Sequence, residues 1–224
     1  MKRLIAFLTV ICLLTGLLAG CGSFQEEETE IPEESTEEET EPTTEATEPT
    51  EDDKPAGYVV EMVIADYGTI KLQLDRTAAP ITVDNFVKLV NEGFYDGLTF
   101  HRIIVNFMMQ GGDPWGNGYG GSGTNIKGEF AANGWNNPIS HVRGVISMAR
   151  GGYSYDSASS QFFIVHQDYP SLDGQYAAFG WVTEGMDVVD AVCRTAQPTD
   201  GNGTIPASAQ PVIESITVVE TLMD

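Results

Sequence analysis

The sequence predicts a mainly β domain, a closed antiparallel barrel with helices at its ends, and two observations predict it. Residues 58–224 divide into many short apolar runs of strand length, separated by glycine- and proline-bearing gaps. Only two stretches carry apolar residues at helical spacing. Many short strands with two helices in one domain fit a barrel that closes on itself. The same composition is compatible with a β-sandwich.

The elements follow in order. Tyr58–Ala65 and Thr69–Leu74 are β-rich runs joined by Asp66-Tyr67-Gly68, which reads as a hairpin. In the second run Ile70, Leu72 and Leu74 alternate with Lys71 and Gln73, so one face is buried. A helix comes next, with Thr82 as its N-cap. Val83, Phe86, Val87 and Val90 fall on one face, and Gly93 stands where a terminating glycine belongs. A second helix is expected over 184–193, with Met186, Val189 and Val192 on one side. The remaining strand-like runs are 99–104, 107–110, 145–149, 161–165, 177–182 and 212–219.

Charge divides the chain unevenly. The net charge is -22, and residues 22–57 hold 15 of the 33 acidic side chains against one base, Lys54. Residues 58–224 hold the other 18 acids against 8 bases. No basic stripe is present, which argues against a nucleic-acid partner, because phosphate binding needs clustered Lys and Arg. The segment from Gln25 to Pro55 is Glu, Thr and Pro with almost no apolar residue, so it is expected to be a disordered, extended tether.

Before the tether, Lys2 and Arg3 precede an apolar run that ends in Leu18-Ala19-Gly20-Cys21. A basic start, a short apolar middle and small residues at the end make a secretory signal peptide. The ending resembles the lipobox of bacterial lipoproteins. That resemblance implies cleavage before Cys21, lipidation of Cys21, and an extracytoplasmic protein anchored to the cell membrane. The expected organisation is a signal peptide over 1–20, a lipid-anchored tether over 21–57 and a folded domain over 58–224. Cys193 is the only cysteine of that domain and is expected to be a small buried residue, with no internal disulfide.

Three stretches bear on function. They are Phe100-His-Arg-Ile-Ile-Val-Asn-Phe-Met-Met-Gln-Gly-Gly-Asp113, then Gly144–Arg150 followed by Ser160-Gln-Phe-Phe-Ile164, then Leu172-Asp-Gly-Gln-Tyr-Ala-Ala-Phe-Gly180. Together they resemble the cyclophilin family of peptidyl-prolyl cis-trans isomerases, over about Tyr58 to Glu220. The first stretch matches every fixed position of the family pattern F-H-R-x-I-x-x-F-M-x-Q-G-G-D. The resemblance implies an eight-stranded barrel capped by two helices, with the site on its outer face. It makes Arg102 the catalytic arginine and Gln110, beside it, the second catalytic residue. Phe107, Met108, Phe163 and Leu172 would line the proline pocket, and Gln161 would share the groove. Ala149 and Arg150 would hold the substrate backbone, Tyr176 would wall the pocket, and the Gly116–Gly123 loop would form the rim.

The chemistry asks for such residues. Resonance gives the peptide C–N bond a rotation barrier of ~18–20 kcal/mol. Rotation breaks no bond, so no cofactor or metal is expected. As the amide twists, the proline nitrogen regains a lone pair, and a fixed guanidinium can donate to it. Arginine suits this because it stays charged and its donors form a rigid fork. Apolar residues in strands are commonly core, and an arginine can be a structural ion-pair partner; the motif assigns these ones to a site. His101, His141 and His166 have no ligand spacing and are expected to be packed or surface histidines. Asn202-Gly203-Thr204 is a glycosylation sequon expected to be fortuitous.

Three positions depart from the family. Ser171 stands where many members have Trp, so cyclosporin sensitivity does not carry over. Tyr176 replaces His, which implies altered preference. Arg150 replaces Asn, and its side chain would favour acidic residues near the substrate proline. The expected substrates are proline-containing unfolded or flexible polypeptides, bound by a monomer that assists folding. The alternative is a proline-peptide binding module or chaperone on the same scaffold with little catalysis.

Overall fold

The computed structural model describes residues 56–223. The leader, Cys21 and the tether as far as Pro55 lie outside the described residues. Gly57, assigned above to the end of the tether, is the first residue of a strand paired with Asp75.

Among the described residues, eight strands and two α-helices form. They are β1 (Gly57–Ile64), β2 (Gly68–Asp75), α1 (Pro80–Asn91), β3 (Thr99–Ile104), β4 (Met108–Asp113), β5 (Val145–Met148), β6 (Phe162–Val165), β7 (Ala178–Glu184), α2 (Met186–Thr195) and β8 (Ile213–Leu222). One sheet contains all eight strands in the order β3-β4-β6-β5-β7-β2-β1-β8. Every neighbouring pair is antiparallel.

The expected closure of the barrel does not occur. β3 and β8 are the two edges of an open sheet. They come together only around the start of each strand, through an isolated bridge between Thr99 and Val212, Ile213 N–H donating to the Leu98 carbonyl (2.8 Å) and Gly97 N–H donating to the Ile213 carbonyl (2.8 Å). The cause is the segment before β8, which occupies the free edge of β3. Ile103 N–H donates to the Gly203 carbonyl (2.8 Å), Ile205 N–H donates to the His101 carbonyl (2.9 Å), and Phe100 N–H donates to the Pro211 carbonyl (2.9 Å). A loop rather than a strand therefore blunts that edge, which otherwise presents unpaired backbone groups.

The interior is apolar. Ile70, Leu72 and Leu74 of β2 are fully buried, as their alternation predicts. Phe86 of α1 packs against Tyr95, Phe162 and Phe179, with ring centroids 5.0, 5.7 and 5.2 Å apart. α2 buries Val188, Val189, Val192 and Cys193. Burial pushes the Cys193 thiol up to about 12, so it is a packed thiol and not a nucleophile.

Thr82 is not the N-cap of α1. The helix starts at Pro80 with Ala79 at the cap, and no local side chain caps it. The Glu129 carboxylate does this from a distant loop, accepting from Ile81 N–H (2.9 Å), Thr82 N–H (2.8 Å) and the Thr82 hydroxyl (2.7 Å). A buried carboxylate at a helix N-terminus meets both the free N–H groups and the positive end of the dipole. Gly93 follows the helix with φ 66, where a terminating glycine belongs.

Candidate active site

The motif residues gather on the outer face of the sheet, and strand periodicity sorts them there. Successive side chains of a strand point to opposite faces. In β4, Met109 joins the inner core while Met108 joins a smaller outer cluster. In β6, Phe162 and Ile164 go in, and Phe163 and Val165 go out. The register opposes Met108 to Val165 and Gln110 to Phe163, so the outer residues of the two strands are cross-strand neighbours.

β3 departs from simple alternation at the residue that matters most. Phe100 pairs with Gly111 and Arg102 pairs with Gln110, so His101 is an extra residue on β3. In a regular strand, where i and i+2 lie on one side, Phe100 and Arg102 would share a face. The bulge leaves Phe100 in the core and turns Arg102 outward. Gly111 and Gly112 accommodate the opposite strand. A Cβ at Gly112, where φ is 79, would lie 2.6 Å from the Ser160 carbonyl oxygen.

Arg102 lines a cavity of about 390 Å³. Its Nε donates to the Asn202 carbonyl (2.7 Å) and its Nη1 to Gln110 Oε1 (3.1 Å). Nη2 has no hydrogen bond among the described residues. Gln110 Nε2 donates to Gln161 Oε1 (2.9 Å), and Gln161 Nε2 donates to the carbonyls of Gly118 (3.1 Å) and Gly120 (2.8 Å). A relay of amides thus ties the guanidinium to the glycine-rich rim. Burial pushes the Arg102 pKa below the ordinary guanidinium value, opposed by Tyr176 and Asp200. The group remains a cation at neutral pH, because arginine starts so high.

Phe107, Met108, Phe163 and Leu172 wall the same cavity, together with Gln110, Ala149, Arg150 and Tyr176. Gln161 lines an adjoining cavity of about 650 Å³, which shares Gln110, Ala149 and Arg150 with the first. The walls are braced from behind. The Phe107 ring packs on Tyr169 at 4.4 Å, and Phe163 meets Tyr176 edge-on at 5.8 Å. Phe163 also stacks on His141, with ring centroids at 6.0 Å and planes 17° apart.

His141 joins a buried polar chain. Its Nδ1 lies 2.8 Å from Asp173 Oδ1 and its Nε2 lies 3.0 Å from Ser147 Oγ. Asp, His and Ser in sequence resemble a hydrolase relay, but Ser147 is fully buried and lines neither cavity. The chain is a brace: Asp173 follows the pocket residue Leu172, and Tyr169 N–H donates to the His141 carbonyl (2.8 Å). Burial lowers the His141 pKa, and the Asp173 hydrogen bond and charge oppose this. Burial also lowers the His101 pKa; Asp113 opposes and Arg102 adds to it.

Sequence reasoning missed Asn202 and Thr204. Both line the cavity, Asn202 also through the backbone oxygen that anchors Arg102. It also passed over His101, which lines the cavity and is buried with neither ring nitrogen hydrogen-bonded among the described residues. The bulge signal is absent from the composition of β3. Among the described residues no group of three or more His, Cys, Asp and Glu could hold a metal ion.

A cationic donor thus faces an apolar pocket on the outside of an eight-stranded sheet, an arrangement that suits a proline ring held beside a fixed hydrogen-bond donor. Comparison with known proteins agrees. Residues 59–218 match the family model of the cyclophilin type peptidyl-prolyl cis-trans isomerase/CLD. Peptidyl-prolyl cis-trans isomerase B of Bacillus subtilis (strain 168) is 50% identical over 125 residues, covering 56% of this chain and 83% of that protein. A peptidyl-prolyl cis-trans isomerase of Helicobacter pylori (strain ATCC 700392 / 26695) is 49% identical over 127 residues, covering 56% of this chain and 74% of that protein. The crystal structure of a Cryptosporidium parvum cyclophilin type isomerase in the presence of the dipeptide Ala-Pro matches with a TM-score of 0.63 and 28% identity, over 72% of this chain and 99% of that one. The chain belongs to the cyclophilin-type peptidyl-prolyl cis-trans isomerase family, and it is an enzyme of that class.

Proposed function

We propose that this isomerase acts on proline-containing polypeptides outside the cytoplasm, with Arg102 as its catalytic residue, and that it assists their folding as a lipid-anchored monomer. The observation that carries the catalytic assignment is the guanidinium of Arg102, fixed by two hydrogen bonds with Nη2 left over, beside the walls Phe107, Met108, Phe163 and Leu172.

The pocket holds the proline ring by apolar contact, while Ala149 and Arg150 border the strip where the flanking backbone lies. The preceding carbonyl then turns about the C–N bond. As resonance is lost, the proline nitrogen becomes pyramidal and accepts a hydrogen bond from Arg102. This bond is stronger in the twisted state than in either planar isomer, so it lowers the barrier and not only the substrate's energy. The partly dry cavity strengthens it further. Gln110 keeps the guanidinium in place and needs no proton transfer to do so. The Ala-Pro dipeptide of the Cryptosporidium structure supports a proline ligand for a site of this kind.

A protease-coupled assay on a proline tetrapeptide tests the assignment. Arg102→Ala is expected to cut kcat/KM by about 10²–10³-fold, as for loss of a transition-state donor, while circular dichroism stays unchanged. Equal rates for the variant and wild type would remove Arg102 from the mechanism. A binding module would keep its peptide affinity with no acceleration by wild type. The lipid anchor is supported by Lys2, Arg3, the apolar run and Leu18-Ala19-Gly20-Cys21. Metabolic labelling with a clickable fatty acid checks it, and label that survives Cys21→Ser sinks it.

A further inference from the structure

The isomerisation chemistry leaves the side-chain charge of a second groove arginine unused. Of the 8 bases in residues 58–224, Lys71, Arg76, Lys88 and Arg143 stand in ion pairs with Asp or Glu. Arg150 has no such partner among the described residues. It lines both the proline cavity and the adjoining one, and neither lining contains an Asp or Glu. The same part of the chain carries 18 acids. An acidic domain has kept its binding groove free of negative charge and placed a guanidinium where the two cavities meet.

That guanidinium is held without being neutralised. The rings of Phe130, Tyr155 and Tyr176 surround it at 5.4, 5.0 and 4.9 Å from Cζ. Its Nε donates to the Gln175 carbonyl (3.0 Å) and its Nη1 to the Gly151 carbonyl (3.2 Å). Ring faces and carbonyl dipoles attract a cation but supply no full counter-charge. Nη2 takes no hydrogen bond among the described residues. The side chain is thus ordered before a ligand arrives, so a carboxylate that reaches Nη2 meets a preorganised donor.

We infer that the groove selects peptides with an acidic side chain within two residues of the proline, and that Arg150 is the specificity-determining residue. The inference rests on the isomerase reading for where the proline sits. It opposes the long-range field: the chain's net charge of -22 repels an acidic peptide. At physiological ionic strength that field decays over about 8 Å, whereas the contact with Arg150 is local. The preference therefore belongs to the Glu-to-Gln ratio at one position, not to the total charge of the peptide.

The full chain is tested with short Ala-Pro peptides bearing Glu or Gln at each of the two positions before and after proline. Affinity is read by calorimetry, and isomerisation by NMR exchange on the same peptides. At one position or more, Glu is expected to bind about three- to tenfold tighter than Gln, the range of a partly exposed, charge-assisted pair. The ratio should fall to about one in Arg150→Gln and persist in part in Arg150→Lys. Ratios of one at all four positions overturn the inference, and so does a preference that survives Arg150→Gln. If Arg150→Gln loses its circular dichroism signal, wild type decides: a ratio that does not shrink from about 0.05 to about 0.5 M salt overturns it. Peptides that bind without faster exchange would sink the isomerase reading instead, and the affinity ratio would still decide on Arg150.

Discussion

Phe162 and Phe163 are adjacent, identical in chemistry and almost equally buried, yet they belong to different parts of the molecule. Phe162 lies among Phe86, Tyr95 and Phe100, with ring centroids 5.7, 5.6 and 6.0 Å away. Phe163 faces a cavity, backed by the His141 ring and edged by Tyr176. Met109 and Met108 repeat the division one strand away. The inner member of each pair is fully buried in the main core. The outer member belongs to a smaller apolar cluster that lines the cavity. One strand therefore carries a stability record and a function record on alternate residues.

The contrast breaks most sharply by truncation. Phe162→Ala should lose about 3–5 kcal/mol, because a filled core site becomes a cavity. Urea unfolding measures it, and the molecules that remain folded should keep their turnover. Phe163→Ala should cost only about 1–2 kcal/mol, since the hole opens to solvent. Its KM should rise while the unfolding midpoint moves little. Equal losses of stability in the two variants would erase the distinction between the faces.

A smaller effect concerns the groups behind the outer face. His101 and His141 both have pKa values below the ordinary 6.5 in the folded chain, through burial. Between those folded values and 6.5 the unfolded chain binds more protons than the folded one. Their contribution to stability is therefore complete above pH 6.5 and is lost as pH falls toward the folded values. The wild-type Tm should drop on going from about pH 7 to about pH 5. His141→Gln removes one of the two groups and should flatten that drop. An equally steep drop in the variant would take His141 out of the acid response. Asp173 adds its own loss further down. Burial raises its pKa, but hydrogen bonds from Ser140 and His141 outweigh this and hold it low.

Much of this was legible in the sequence because local pattern and global fold agree. Ile70, Leu72 and Leu74 alternate and are buried. Gly93 ends α1, and Phe107, Met108, Phe163 and Leu172 converge on one cavity from three separate stretches. What was not legible came from distant partners. Thr82 looked like an N-cap, but Glu129 supplies the carboxylate from 47 residues away in the chain. Closure of the barrel failed because the segment around Gly203 takes the edge of β3, a competition between backbones that side-chain patterns do not record. The outward turn of Arg102 depends on the bulge at His101, and plain period-two counting puts Phe100 and Arg102 on one face. The anchoring role of Asn202 was illegible for a related reason, since a main-chain oxygen is present in every residue type.

That oxygen has a consequence for how the site can change. Arg102 Nε is anchored to the Asn202 backbone, so any residue at 202 that keeps the loop path keeps the anchor. Gly203 fixes the path: its φ is 84, and a Cβ there would lie 2.5 Å from Ile104 Cγ1 and 2.6 Å from the Ile103 carbonyl oxygen. The position is therefore tolerant of spelling and intolerant of length. Sequence drift at 202 leaves the guanidinium aimed, whereas an insertion or deletion nearby moves its anchor with no change to any motif residue. Among descendants of this chain, an intact arginine motif joined to a loop of altered length would mark a site that has kept its signature and lost its aim.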